Sequence, residues 1–265
     1  MEHISQQLQS STETGALESF SEIELTSEEQ EEAIRKAREK KYYKIREQEY
    51  WENVARSREK IIFNPEGLFE HAKKTIEVDE HNERIVKLLC SYFTGDKRFE
   101  QINNFSLRKG IYLFGNPGVG KTFLMQMFSQ NQMQSYSLVS ARTIEAEFSS
   151  AKKNSEEGGE MSINYYSNII TIPMNSNPYG HNNLGICIDD IGTETMGKFY
   201  GKEKNVITEV ILNRYDNGLP HHLTHVTTNL TADEVEQRYG SRARDRMREM
   251  FNVIEFKIES PSRRK

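Results

Sequence analysis

The sequence predicts an α/β domain built on a parallel β-sheet covered by helices, with a charged helical extension in front of it. Three observations carry this expectation. From residue 110 onward, short apolar runs of strand length alternate with segments of helical period, the pattern of strands joined by crossover helices. A glycine-rich turn at 115–120 sits between the first such strand and the first such helix. The first 60 residues are polar and charged, so the apolar residues needed for a core are concentrated further along.

Residues 1–25 are rich in Ser, Gln and Glu with few aliphatics, a composition expected to stay disordered. Residues 26–63 are expected to form a charged helical arm. Thr26 or Ser27 can cap it, and Glu29 or Gln30 can close a capping box. Residues 28–60 contain no Gly or Pro, and Glu31–Arg35 and Glu32–Lys36 are favourable i,i+4 pairs. The aromatics Tyr42, Tyr43, Tyr50 and Trp51 keep no heptad, which argues against a coiled coil. The arm either packs back on the core or binds a partner.

The domain proper is expected at 64–265. Asn64-Pro65-Glu66-Gly67 reads as a linker. A helix is expected over 79–93, capped by Asp79, with Ile85, Leu88, Leu89 and Tyr92 on one face. The segment 95–108 reads as loop. Strands are expected at 110–115, 135–140, 183–190, 222–229 and 253–258, and helices at 121–128, 143–153 and 205–215. Val206, Ile207, Val210 and Ile211 should turn inward. Two short helices, 231–240 and 241–250, should precede the last strand. Residues 154–183 are polar, with Gly158-Gly159, Pro173 and Pro178, and read as an insertion.

Bulk properties exclude several classes. The net charge of −5 gives no general attraction for nucleic acid. The charge is uneven, with a balance of −4 over residues 1–60 and +5 over residues 238–265, so any such contact is local or built by assembly. Cys90 and Cys187 sit in apolar runs and read as buried thiols, and no Cys/His spacing fits zinc. No apolar stretch has the length of a membrane span, and the N-terminus lacks the features of a signal peptide. A cytoplasmic protein with no membrane contact is expected.

Gly115-Asn116-Pro117-Gly118-Val119-Gly120-Lys121-Thr122 matches G-x-x-x-x-G-K-[ST], after an apolar strand and before an apolar helix. Glycines let the backbone fold tightly enough for its N–H groups to surround an anion, and the helix beginning at Lys121 adds its positive end. Lys121 can reach the β- and γ-phosphates of a nucleotide, and the Thr122 hydroxyl can ligate Mg²⁺. The strand 184–188 ends in Asp189-Asp190. Asp189 suits a metal carboxylate. Asp190 stands where an acid would polarise the attacking water, and Glu194 is a possible helper. Asn229, at the end of a later strand, can orient that water, or it can cap the helix starting near Thr231.

Arg238, Arg242, Arg244, Arg246 and Arg248 fall within eleven residues. Arg242 and Arg246 share a helix face, an arrangement that calls for negative charge from outside. The γ-phosphate on a neighbouring subunit would supply it. A nucleic-acid phosphate and plain solvation are the alternatives.

The blocks GNPGVGKT, ICIDDIGTE and TTNLTADEVEQRYGSRARDRMR together resemble the DnaC/IstB group of AAA+ ATPases, over roughly residues 80–258. That group includes bacterial and phage replicative helicase loaders and transposition helper ATPases. The resemblance implies a P-loop NTPase domain with a five-stranded parallel sheet between helices and no full lid domain. It implies ATP and Mg²⁺ as cofactors, with hydrolysis of the ATP. Gly115–Thr122 would hold the phosphates and Asp189 the metal, and Asp190 would take the catalytic acid's position, where Glu is usual. Asn229 would be the sensor. Arg242 would be the arginine finger of a homo-oligomer, with Arg246 a second candidate. A further sensor arginine could come only from Arg263 or Arg264. As a loader, the chain would grip a replicative DNA helicase through its N-terminal helix and hold single-stranded DNA. Lys152, Lys153, Tyr165 and Tyr166 suit backbone contact and base stacking. A transposition helper and an ATP-binding adaptor with little hydrolysis are the competing expectations, the latter favoured by Asp190.

Overall fold

The computed structural model describes residues 26–41 except 28, 39 and 40, and residues 64–264 except 151–157, 174, 175 and 178. The chain divides into two compact units, Met1–Trp51 and Glu52–Lys265. The expected disorder of 1–25, the arm beyond 41, and Lys152 and Lys153 lie outside the described residues.

In the first unit, α1 covers 27 and 29–38 among the described residues. Its entry is a full capping box: Thr26 Oγ1 accepts from Glu29 N at 3.3 Å, and Glu29 Oε2 accepts from Thr26 N at 2.8 Å. Lys36 and Glu32 form the expected pair at 2.8 Å, both well exposed. Such a pair adds only a few tenths of a kcal/mol, about 0.3–0.5.

Asn64-Pro65-Glu66-Gly67 is not a linker but the start of α2, Pro65–Thr75. Asn64 is the N-cap, and its Oδ1 accepts from Gly67 N at 2.8 Å. Proline at the first helical position gives up an N–H that has no helical partner anyway. A dipeptide that breaks a helix in its middle therefore begins one here. Helix α3 is Glu83–Phe93, four residues shorter at its start than expected. Asp79 instead shapes the turn before it, accepting from His81 N at 3.0 Å and Asn82 N at 3.2 Å. Ile85, Leu88, Leu89 and Tyr92 are buried as expected. The 95–108 segment is loop apart from a 3₁₀ turn, Lys97–Gln101, capped by Asp96.

The sheet strands are β1 (Gly110–Phe114), β2 (Tyr136–Ser140), β4 (Asn183–Ile191), β7 (Thr224–Thr228) and β8 (Phe251–Glu255). Their order is β2-β4-β7-β1-β8, with every neighbouring pair parallel. The last strand starts two residues earlier than expected, because α8 (Ala232–Met250) runs straight into it. The connecting helices are α4 (Lys121–Met127), α5 (Ala141–Ser149) and α7 (Val206–Asp216). Asn205 caps α7 by accepting from Thr208 N at 3.1 Å. Helix α8 is broken at Gly240 (φ 85, ψ 159), so it consists of the two short helices expected from the sequence.

Strand alternation sends side chains to two cores. Ile111, Leu113 and Cys187 face one, with α2, α3 and α4 packed on it. Tyr112, Ile186, Ile188 and Val226 face the other, under α5, α7 and α8. Each fully buried aliphatic or aromatic side chain there stabilises the fold by roughly 1.5–3 kcal/mol. Both cysteines are free and buried, and burial pushes the Cys90 thiol up to about 12.

The polar stretch 154–183 is not a plain insertion. It contains α6 (Glu160–Ser167) and β3 (Ile170–Thr171), the latter antiparallel to β4. Ile163 and Tyr166 are part of the second core. Arg214, 1% exposed, anchors this segment: Nη1 donates to Tyr166 O and Asn168 O at 2.9 and 2.8 Å. Its Nη2 reaches Leu223 O at 3.0 Å and its Nε reaches Thr224 Oγ1 at 2.8 Å. Between β4 and α7 lies an unforeseen hairpin of β5 (Gly197–Phe199) and β6 (Lys202–Lys204). Its Phe199 lies against Phe148, and its tip residue Tyr200 is exposed. No helix among the described residues is long and apolar enough to cross a membrane.

Candidate functional site

The turn after β1 needs backbone conformations that side-chain-bearing residues avoid. Gly118 and Gly120 have φ of 87° and 101°, a region open to glycine at little cost. This geometry lets 115–120 wrap a concave surface and delivers Lys121 and Thr122 at the start of α4. Lys121 is 4% exposed. Its Nζ donates to Gly115 O at 2.7 Å, Asn116 O at 3.1 Å and Asn229 Oδ1 at 2.5 Å. Burial lowers its proton affinity, Asp190 and Asp189 oppose that, and Arg264 adds to the lowering.

Strand β4, between β2 and β7 in the sheet, carries Asp189 to the same place. Thr122 Oγ1 donates to its two oxygens at 3.0 and 2.9 Å, and Thr227 Oγ1 donates to Oδ1 at 2.6 Å. Asp189 is 6% exposed. Burial holds its carboxyl above the ordinary range, with Asp190 adding to this, against the hydrogen bonds from Thr227 and Thr122 and the charge of Lys121. Asp190 adopts φ 54°, uncommon for a residue with a side chain. Its N–H donates to Thr227 Oγ1 at 2.8 Å. Thr227, from the neighbouring β7, thus positions both acids. Sequence reasoning passed over it, although it stands in the same Thr-Thr-Asn run as Asn229.

Lys121, Thr122, Asp190 and Asn229 line one cavity of about 950 Å³, with Pro117 to Gly120 along its floor. Of the two expected alternatives, Asn229 does not take the capping one. Thr231 caps α8 in a complete capping box with Glu234, and Asn229 faces Lys121. Two expectations fail here. Glu194 is turned away from the cavity: it accepts from Gly192 N at 2.8 Å and Tyr239 Oη at 2.7 Å, and pairs with Arg238 at 3.2 Å. Its carboxylate holds the loop after β4 to α8, because a buried acid is stable only where charge and donors meet it. Tyr166 is buried, with its hydroxyl on Glu147 at 2.7 Å, so only Tyr165 of that pair offers a face.

Neither Arg242 nor Arg246 lines the cavity. The Arg242 side chain is 67% exposed and meets Asp216 at 3.1 Å. Arg246 lies over the Tyr215 ring at 4.4 Å, and its Nε is buried without a partner. Arg263 and Arg264 both line the cavity, Arg263 paired there with Asp79 at 2.7 Å. Among the described residues no three His, Cys, Asp or Glu side chains form a metal cage. A magnesium ion does not need one, since it is usually held by one or two carboxylates together with substrate phosphates. The hydroxyl of Thr122 beside the buried Asp189 fits that donor set.

The chain has an α/β fold, a parallel five-stranded sheet between helices with a glycine turn after β1. It is similar in structure to the DnaC helicase loader, at 16% identity and a TM-score of 0.43, covering 68% of this chain and 92% of that one. It is similar to DnaI at 19% identity and a TM-score of 0.43, covering 69% and 88%. A third similar structure is AMPPCP-bound DnaA from Aquifex aeolicus, at 15% identity and a TM-score of 0.42, covering 76% and 52%. No family model matches the chain, and comparison with curated proteins gives no match.

Proposed function

We propose that this chain is a Mg²⁺-dependent ATPase that acts in DNA replication by loading a replicative helicase on single-stranded DNA. The observation that carries the reading is the meeting of Lys121, Thr122, Asp190 and Asn229 around one cavity behind a glycine turn. The backbone of Gly115, Asn116, Pro117, Gly118, Val119 and Gly120 holds the phosphates. Lys121, already desolvated, neutralises the β- and γ-oxygens. Thr122 and Asp189 would hold Mg²⁺, which would supply charge neutralisation. Asp190 polarises the attacking water and Asn229 orients it. Arg242, with Arg246 as second candidate, acts on the nucleotide of a neighbouring copy, which explains its absence from its own cavity. The charged N-terminal helix grips the helicase in the cytoplasm.

Single-turnover hydrolysis, with and without single-stranded DNA, tests the reading. Turnover that DNA stimulates and that disappears in Lys121→Ala is expected. No affinity for adenine nucleotide with magnesium would sink it. Deleting residues 1–60 should abolish co-purification with the helicase, and unchanged binding would remove the arm's role.

One observation favours a second reading, an ATP-binding adaptor with little hydrolysis. Asp190 is a methylene shorter than Glu, and Glu194 is engaged by Arg238 and Tyr239 rather than available to help. Slow turnover that DNA does not stimulate, with tight binding retained, would select it.

A further inference from the structure

After β8 the described chain forms no further helix. It runs along the phosphate turn instead. Phe256 packs on Gly115 so closely that a Cβ on the glycine would stand 2.7 Å from that of Phe256. Asn116 Nδ2 donates to Ile258 O at 3.0 Å. Arg263 N donates to Gly118 O at 2.8 Å, and Ser262 Oγ lies 2.3 Å from where a Gly118 Cβ would be. These contacts advance together along both segments, so residues 256–264 form a strap against the turn.

The far end of the strap is fastened. Arg263 Nη2 meets both oxygens of Asp79 at 2.8 and 2.7 Å. Asp79 belongs to the turn before α3, and this turn, the strap and the phosphate turn all line the same cavity. Both side chains are partly buried, 25% and 33% exposed, unlike the Arg242–Asp216 pair. A charge-assisted bond of this kind is stronger than a solvated one. Burial would raise the Asp79 carboxyl, but hydrogen bonds from Arg263, His81 and Asn82 hold it below its ordinary range.

We propose that Asp79 and Arg263 are positioning residues for the nucleotide: their ion pair fastens the C-terminal strap to the cavity wall and sets how long a bound nucleotide stays. This rests on the reading that the cavity holds ATP. Arg263 is spent on Asp79 rather than on a phosphate, so its effect travels through the strap. With the pair intact, the two walls move as one. With it broken, the strap can lift and the occupant leaves sooner.

The test uses the full chain with Arg263→Ala, Asp79→Asn, the double variant and Arg263→Lys. Asparagine keeps the oxygen that accepts from His81 and Asn82, so the start of α3 is preserved. Fluorescent ADP is chased with unlabelled ADP in stopped flow. Release is expected to be about tenfold faster in each single variant and no faster in the double, with lysine intermediate, as for two residues acting through one contact. Release at the parent rate, or single effects that multiply, would overturn the proposal. Amide exchange over residues 256–264 without nucleotide is the companion measurement. It should quicken in both singles, and unchanged protection overturns the proposal. A parent chain that binds no nucleotide would sink the ATP reading alone, and the exchange data would still decide whether the pair fastens the strap.

Discussion

The phosphate turn and the arginine face of α8 handle charge in opposite ways. Around the turn, Lys121 and Asp189 are almost fully buried and each has hydrogen-bond partners within the chain. On α8, Arg242 is mostly exposed and its one counter-charge, Asp216, is half exposed. Buried charge costs several kcal/mol unless its geometry is complete, so the first region is assembled before any ligand arrives. Exposed charge costs little and is held loosely, so the second is free to change partner. Under the proposed function, the contrast would separate holding a nucleotide, a task for one chain, from triggering its hydrolysis, a task for a second surface.

Variants sharpen that contrast. The largest effect on binding is expected from Lys121→Ala, which should weaken nucleotide binding by about 100-fold or more in titration calorimetry, since it removes charge-assisted bonds. Arg214→Leu should cost about 3–5 kcal/mol in urea unfolding, because the carbonyls of Tyr166, Asn168 and Leu223 lose their donor. Loss of less than one kcal/mol would show that water replaces it. Thr227→Val should reduce magnesium dependence of binding by about 10–100-fold, the usual cost of losing a group that orients a ligand. Arg242→Ala is the smallest in stability, within about 0.5 kcal/mol. It should nevertheless abolish turnover while binding is kept, and mixing with Lys121→Ala chains should restore some activity. No rescue at any ratio would count against a shared site.

A pH scan probes the core between these regions. His225 is fully enclosed by Tyr92, Phe93 and Tyr136, and its Nδ1 accepts from Ile111 N at 3.0 Å. Burial lowers its proton affinity to about 3, with His222 and Arg214 adding to the effect. The unfolded chain takes up a proton below its ordinary value near 6.5 while the folded one does not until about 3. Stability should therefore fall as pH drops from 6.5 towards 3. A flat urea midpoint over that window would contradict the neutral imidazole.

Much of the fold was legible because strands buried on both faces leave short apolar runs, and these mark β1 and β4 closely. The glycine turn was legible for a stricter reason: its backbone conformations exclude most residues. What escaped detection depended on context. Asn64-Pro65 reads equally as break or cap, and only the helix behind it decides. The stretch holding α6 looks polar because its burial rests on Ile163, Tyr166 and the reach of Arg214, 46 to 48 residues away. Glu194 lay near Asp190 in sequence, but Arg238 and Tyr239 draw it to α8. The pairing of Asp79 with Arg263 spans 184 residues and left no local pattern.

The arginines of α8 and the phosphate turn occupy different surfaces of one chain, and this has a geometric consequence. Under the proposed contact, copies join head to tail rather than face to face, the kind of contact that closes into a ring or continues as a helix. An open row has unlike ends, one offering unused arginines and the other an unattended nucleotide. It completes one shared site fewer than it has members, so turnover per chain should rise with the length of the row.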